Sequence, residues 1–300
     1  MFRHPKRENT KETPKVREAR GFRYAWFKFS RNRLSVAGLI IIGSVAFIMI
    51  FAPYITPHPE DVGFVIHLTE ANQAPSFNHP FGTDVLGRDI LTRVFYGFRY
   101  SIFMGLMVVG IASPVGVILG MLAGYKRGTW VETVIMRLTD IMLALPPLLL
   151  ALSVAATLGP GLFKGMMAVS VALWPWYARL TYGITSSLRN EAFIKAAQLA
   201  GGSTLYILIR ELFVNCIRPV LTKVTLDLGF AVIVTASLSF VGLGIQPPKP
   251  GLGTMVSEGA RQIPGQWWIA VFPAMAIIYL VLGFNLLGDG FQDFFASEEY

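Results

Sequence analysis

Residues 100–124 read YSIFMGLMVVGIASPVGVILGMLAG, without one charged side chain. A helix that crosses a bilayer needs about 20 mostly apolar residues, and this stretch supplies them. Gly116, Gly120 and Gly124 recur every four residues, with Ala112 extending the row, so all fall on one helix face. Helices in lipid have no hydrophobic drive to associate, and a row of small residues lets two backbones approach closely. Gly116, Gly120 and Gly124 are therefore expected to form a helix-packing seam. Pro114, like Pro146 and Pro147 further on, is expected to kink its span.

The same length rule applied outward from this stretch gives about six spans. Their cores are Ser35 to Ile55, Tyr100 to Gly124, Val134 to Leu158, Leu162 to Tyr182, Val220 to Gly244 and Trp267 to Leu287. The whole chain agrees: of its 300 residues 53% are hydrophobic and only 15% charged. The expected fold class is thus an all-α polytopic membrane protein. The run Ser35 to Ile55 is too long for a cleaved leader and follows a long basic segment, so it is expected to stay as the first span.

Net charge is +8, and its position favours membrane topology over nucleic acid as the cause. Arg3, Lys6, Arg7, Lys11, Lys15, Arg17, Arg20, Arg23, Lys28, Arg31 and Arg33 precede the first span. Lys126, Arg127 and Arg137 flank the turn after the second, and Arg179, Arg189, Lys195, Arg210, Arg218 and Lys223 crowd the loop after the fourth. Basic residues mark cytosolic loops. This alternation predicts cytosolic N- and C-termini and a division into a basic segment 1–33, a first span 34–55, an extracytoplasmic segment 56–99, a core 100–290 with a cytosolic loop 183–215, and a tail 291–300. The aromatic and basic stretch GFRYAWFKFSRNR (21–33) suits either a helix on the membrane surface or a flank that anchors the first span.

Several chemistries lack their residues. The single cysteine, Cys216, reads as a small apolar side chain, and no metal or nucleotide-binding motif occurs. No metal site, bound cofactor or catalytic residue is expected on this chain. His4, His58, His67 and His79 all fall in loops before the second span and read as solvated. Asp140 follows Arg137 by one turn and Asp227 follows Lys223 by four residues, which predicts local ion pairs. An ion-coupled secondary transporter would show inverted repeats and broken helices around buried charge, and neither is visible in the sequence.

Between the fourth and fifth spans lies NEAFIKAAQLAGG (190–202). Helix formers fill Glu191 to Gln198, and Glu191 stands four residues before Lys195, an orientation that favours a same-face pair. Ala196 and Ala197 leave the helix surface low, and Gly201 and Gly202 can take the left-handed conformation that ends a helix. A second helix over Leu205 to Val214 would complete a cytosolic helix-turn-helix elbow, joined to two spans and shaped to pass force from a soluble partner.

EAFIKAAQLAGGS resembles the coupling loop of ABC importer permeases, and Glu191, Ala196, Ala197 and Gly201 match its pattern. HPFGTDVLGRDILTRVFYGFRYSI (79–102), LSFVGLGIQPPKPGLGTMVSEG (238–259) and NLLGDGFQD (285–293) resemble stretches of the dipeptide, oligopeptide and nickel branch, and RNRLSVAG and FAPYITP resemble its first-span flanks. The resemblance covers nearly all of the chain from residue 24. It implies the MetI-like permease fold and a place in the plasma (inner) membrane of a prokaryote. It also implies a homologous permease as partner, two ATPase subunits that hold ATP and Mg, an extracytoplasmic substrate-binding protein, a lipid environment and no nucleic acid. Peptides are the implied cargo, with nickel or oligosaccharides as alternatives, and the substrate path is left unassigned. The chain departs from the branch at Ala200, where Leu is usual, at Val214, where Pro is usual, at Thr235, where many relatives have Glu, and at Leu252, often Trp.

Overall fold

A computed structural model describes residues 32–296. The readings made for residues 1–31 and for the end of the tail lie outside the described residues. Among the described residues the regular elements are helices and there is no strand. α1 spans Arg33–Ile55, α2 Ile90–Tyr125, α3 Trp130–Leu143, α4 Pro147–Leu158 and α5 Leu162–Leu188. α6 spans Ala192–Leu199, α7 Thr204–Phe240, α8 Leu252–Ala260 and α9 Trp268–Ala296.

Four helices are by themselves long and apolar enough to cross a membrane: α1, α2, α7 and α9. The expected third span is instead two helices, α3 and α4, bent by 98°, and they make a fifth candidate if taken together. Pro146 and Pro147 break it: proline has no N–H to donate and pushes the residue before it out of helical geometry. α5, expected as the fourth span, has 27 residues but interrupts its apolar run with Lys164, Arg179, Tyr182 and a set of hydroxyl residues. A broken helix is thus present after all, although the continuous apolarity of Val134 to Leu158 hid it.

α2 begins ten residues before the expected Tyr100 because Asp89 caps it, accepting the Thr92 N–H at 2.8 Å. At 1.5 Å per residue the helix is about 54 Å long, more than the roughly 30 Å of a hydrocarbon core. It therefore carries a polar assembly at one end and the elbow at the other.

The polar assembly is built from residues 56–99. Asp84 and Arg88 are paired at 2.8 Å, Asp61 accepts the Asp89 N–H at 2.7 Å, and His79 Nδ1 lies 3.1 Å from Asp89. All of these side chains are buried, so the reading of the histidines as solvated is wrong for His79. Buried charge persists where it is paired and hydrogen-bonded. Glu258, on α8, stands near Arg93 and Arg88; burial pushes its carboxyl above the usual range against their pull.

α5 packs along α2 through much of their length, around a core that includes Val108, Ala112, Val169, Leu173 and Tyr177. A β-carbon on Gly116 or Gly120 would overlap the α5 backbone at Trp174 and Ala178, and one on Gly124 would stand 2.8 Å from Thr185. Ser170 donates to Val108 O at 3.3 Å and Thr181 to Val117 O at 3.4 Å across the same contact, adding polar glue to close packing. α1 lies on α9, where Gly38 admits the Leu286–Leu287 backbone. Its outer face shows Ile40, Phe47 and Ile50.

Candidate functional site: the elbow between α5 and α7

α5 ends at Leu188, and Glu191 starts α6 from extended backbone, φ −64° and ψ 151°. The Glu191 carbonyl accepts the N–H groups of Ile194 and Lys195, both at 3.1 Å. Its side chain makes no capping bond, and the expected Glu191–Lys195 ion pair does not form. Both side chains are exposed, where such a pair is worth little.

The helix stop is fully defined. Gly201 takes φ +82°, its N–H bonds Gln198 O at 3.0 Å, and the Gly202 N–H reaches back to Ala197 O at 2.9 Å. This is the Schellman arrangement, in which a left-handed residue turns the chain while the last carbonyls keep partners. Ser203 then caps the next helix, accepting the Tyr206 N–H at 3.2 Å. α7 opens with a wider π-turn over Ile207–Leu212 and continues without a break to Phe240, so the second elbow helix and the fifth span are one element.

One residue of α6 is fully buried in the body. Ile194 is fully buried, in a cluster with Val117, Met121, Ile207, Leu212 and Cys216. Ile194 carries no signal of its own in the sequence, although Ile194 and Ala197 share a face by helical spacing. That face makes the two alanines different: Ala197 is half-buried against the cluster while Ala196 is exposed. Outside them lies a cleft of about 710 Å³ whose lining includes Phe193, Ala196, Gly201, Tyr206 and Glu211. Leu199 of the same helix is 90% exposed, a large apolar side chain that the described residues leave uncovered.

The neighbouring turn is tied to the end of α5. Arg127 donates to Ser186 Oγ at 2.9 Å, Arg189 donates to the Arg127 carbonyl at 2.8 Å, and the Tyr182 hydroxyl donates to Glu132. Gln198 of α6 donates to the Tyr125 hydroxyl at 3.2 Å. The elbow therefore rests on the ends of both α2 and α5. No short-range pattern announces these bonds, which join residues 50 to 73 positions apart.

Lys223 and Asp227 pair at 3.0 Å, but Asp140 pairs with Arg179 on α5 rather than with Arg137. Thr235 is buried and bonds the Ala231 carbonyl at 2.8 Å, and Leu252 is buried against Gly97. Ala200 is exposed and caps α6, and Val214 is exposed on α7. Among the described residues no His, Cys, Asp or Glu cluster could hold a metal ion.

Long apolar helices and a broken span define a polytopic membrane protein with an exposed elbow between two of its helices. The chain belongs to the binding-protein-dependent transport system inner membrane components, whose family model matches residues 116–298. Residues 22–75 match the N-terminal transmembrane domain of oligopeptide transport permease C. It is 37% identical over 288 residues to a probable D,D-dipeptide transport system permease of Escherichia coli (strain K12), covering 95% of each chain. It is 39% identical over 277 residues to a dipeptide transport system permease of Alkalihalophilus pseudofirmus, covering 91% of this chain and 88% of that one. A glutathione transport system permease of Escherichia coli O6 is 38% identical over 268 residues, covering 89% and 88%. The chain is thus a non-catalytic permease of the ABC importer class and a multi-pass protein of the prokaryotic inner membrane.

Proposed function

We propose that this chain is one of two homologous permeases in an importer of di- or oligopeptides, driven by ATP on two separate ATPase subunits and supplied by an extracytoplasmic binding protein. The elbow carries the reading. Ala196 and Ala197 stand on a short helix and Glu191 and Gly201 at its two ends, beside a cleft whose lining includes the exposed rings of Phe193 and Tyr206. Exposed rings of this kind suit a protein partner, and the connections to α2, α5 and α7 would carry its movement into the spans. The cargo class follows from relatives named for dipeptide transport.

In this scheme α5 also crosses the bilayer, both termini face the cytosol, and residues 56–99 face the binding protein. ATP binding closes the ATPases, displaces the elbow and favours the outward-open arrangement; hydrolysis reverses the bias. Moving such an equilibrium from 1:99 to 99:1 takes about 5.5 kcal/mol of differential stabilisation. Docking with equal affinity for both states would supply none.

The test is ATP hydrolysis by this chain purified with its partner permease and the ATPases, with and without binding protein loaded with dipeptides. Peptide-dependent stimulation is expected. An assembled complex that hydrolyses ATP and responds to oligosaccharide or nickel but to no peptide would overturn the cargo, and failure of the ATPases to co-purify would overturn the elbow as their dock.

A further inference from the structure

A second site stands away from the elbow, in the groove between α1 and the first turns of α2. α1 contains Pro53, which has no N–H to return to the Met49 carbonyl four residues earlier. Arg99 of α2 fills that place, its Nε donating to Met49 O at 2.8 Å. The Tyr96 ring lies against the face of the guanidinium, 5.3 Å from Cζ to the ring centre. Neither contact uses the N–H groups on the two Nη atoms, which lie in the guanidinium plane. Arg99 is exposed, and among the described residues no carboxylate pairs with it.

Its depth is set by the helix. No charged residue lies between Arg99 and Lys126. At 1.5 Å per residue the rise from one to the other is about 40 Å, close to the roughly 40–45 Å of a bilayer with both headgroup layers. With Lys126 at the cytosolic turn, Arg99 stands at the level of the opposite headgroups. Phe103, Leu106, Gly110 and Pro114 follow it on the same helix face, all exposed. The groove beside Arg99 holds about 640 Å³, and its other lining residues are aliphatic or aromatic, Met49, Ile102, Phe103 and Leu106 among them.

One unpaired cation above an apolar groove selects an anion that carries a hydrocarbon chain. Guanidinium N–H groups match the oxygens of a phosphate, and the groove continues from them along the lipid-facing side of α2. A headgroup with net negative charge fits better than a zwitterionic one, because no lining residue is acidic and an ammonium would find no partner.

We infer that the groove between α1 and α2 holds an anionic phospholipid of the leaflet opposite the elbow, its phosphate on the Nη groups of Arg99 and one acyl chain along Phe103 and Leu106. This rests on the topology proposed above and not on the cargo. The test is native mass spectrometry of the complete importer, stripped of lipid in detergent and titrated with phosphatidylglycerol, with phosphatidylethanolamine, or with glycerol phosphate as a headgroup without chains. Wild type is compared with Arg99→Gln and Leu106→Trp. Glutamine puts an amide nitrogen in the place of Nε, so the bond to Met49 can persist while both Nη atoms are removed. Tryptophan fills the groove and leaves Arg99 intact.

Wild type should bind phosphatidylglycerol several-fold more tightly than phosphatidylethanolamine and should not retain glycerol phosphate. Arg99→Gln should raise the phosphatidylglycerol Kd about tenfold, the worth of one charge-assisted hydrogen bond, and erase the preference. Leu106→Trp should weaken both lipids. An unchanged phosphatidylglycerol Kd in Arg99→Gln would overturn the site, and so would glycerol phosphate bound as tightly as the lipid. If Arg99→Gln does not assemble, Leu106→Trp decides, several-fold loss of phosphatidylglycerol supporting the site and unchanged binding overturning it. Peptide-stimulated ATP hydrolysis by a wild-type importer that binds no phosphatidylglycerol would overturn the lipid site and leave the importer standing.

Discussion

The seam between α2 and α5 and the elbow between α5 and α7 both depend on glycine, for opposite physical reasons. At Gly116 and Gly120 the backbone is ordinary helix and there is no room, because α5 occupies the place of a side chain. At Gly201 there is room in every direction, with nothing within 4 Å of a would-be β-carbon, but the backbone sits at φ +82°. One glycine is required by its neighbour and the other by its own torsion. A contact-dependent glycine couples two elements, so its loss spreads through the core, whereas a torsion-dependent glycine sets the direction of one chain and its loss stays local.

The largest effect is expected at the seam. Gly120→Val would drive a branched side chain into Ala178 and Thr181; neither backbone can yield, so the penalty should exceed the 1–3 kcal/mol usual for overpacking. The expected outcome is loss of the assembled complex, read by co-purification with the partner subunits. A variant that assembles at wild-type level would mean that α2 and α5 can separate freely.

Ile194→Ala comes next. It deletes most of a fully buried side chain, a change that ordinarily costs about 2–5 kcal/mol. The loss is concentrated on the only α6 residue that is fully buried, so the body should still insert while uptake falls sharply. Uptake per assembled complex measures it, and normal uptake would show that the elbow does not depend on its anchor.

Gly201→Val should be smaller in stability and still large in function. A left-handed backbone costs a residue with a β-carbon roughly 1–2 kcal/mol, and a β-branched one resists it most. Membrane abundance is expected near wild type, with uptake and stimulated ATP hydrolysis both lost. Gly201→Asn should retain more of both, since asparagine tolerates this conformation. If valine and asparagine behave alike, torsion is not what Gly201 supplies.

These two regions were also legible in the sequence to different degrees. The seam was visible as Gly116, Gly120 and Gly124 because a four-residue repeat maps directly onto a helix face. The elbow was visible as helix formers followed by two glycines, but its anchor was not, since Ile194 acquires meaning only when Val117 and Met121 arrive from α2. The broken third span escaped because apolarity does not distinguish one straight helix from two at 98°. The buried network of residues 56–99 escaped because Asp61 and Asp89 stand 28 positions apart. Local rules reach a few residues, and both the Ile194 anchor and the buried network depend on partners beyond that reach.

The smallest expected effect provides the control for the whole comparison. Gly183 lies on α5, the helix that fills the seam, yet it is exposed and nothing stands within 4 Å of its would-be β-carbon. Its backbone is helical, with no positive φ. It therefore has neither the neighbour of Gly120 nor the torsion of Gly201. Alanine there should be neutral or should stabilise by about 0.5–1 kcal/mol, because it reduces the freedom the helix must give up on folding. Thermal unfolding of the purified complex should show an unchanged or slightly raised midpoint, with uptake intact. A marked loss in Gly183→Ala would mean that this face of α5 meets another subunit closely, and the division of glycines into contact-dependent and torsion-dependent would need a third class, set by the assembled complex.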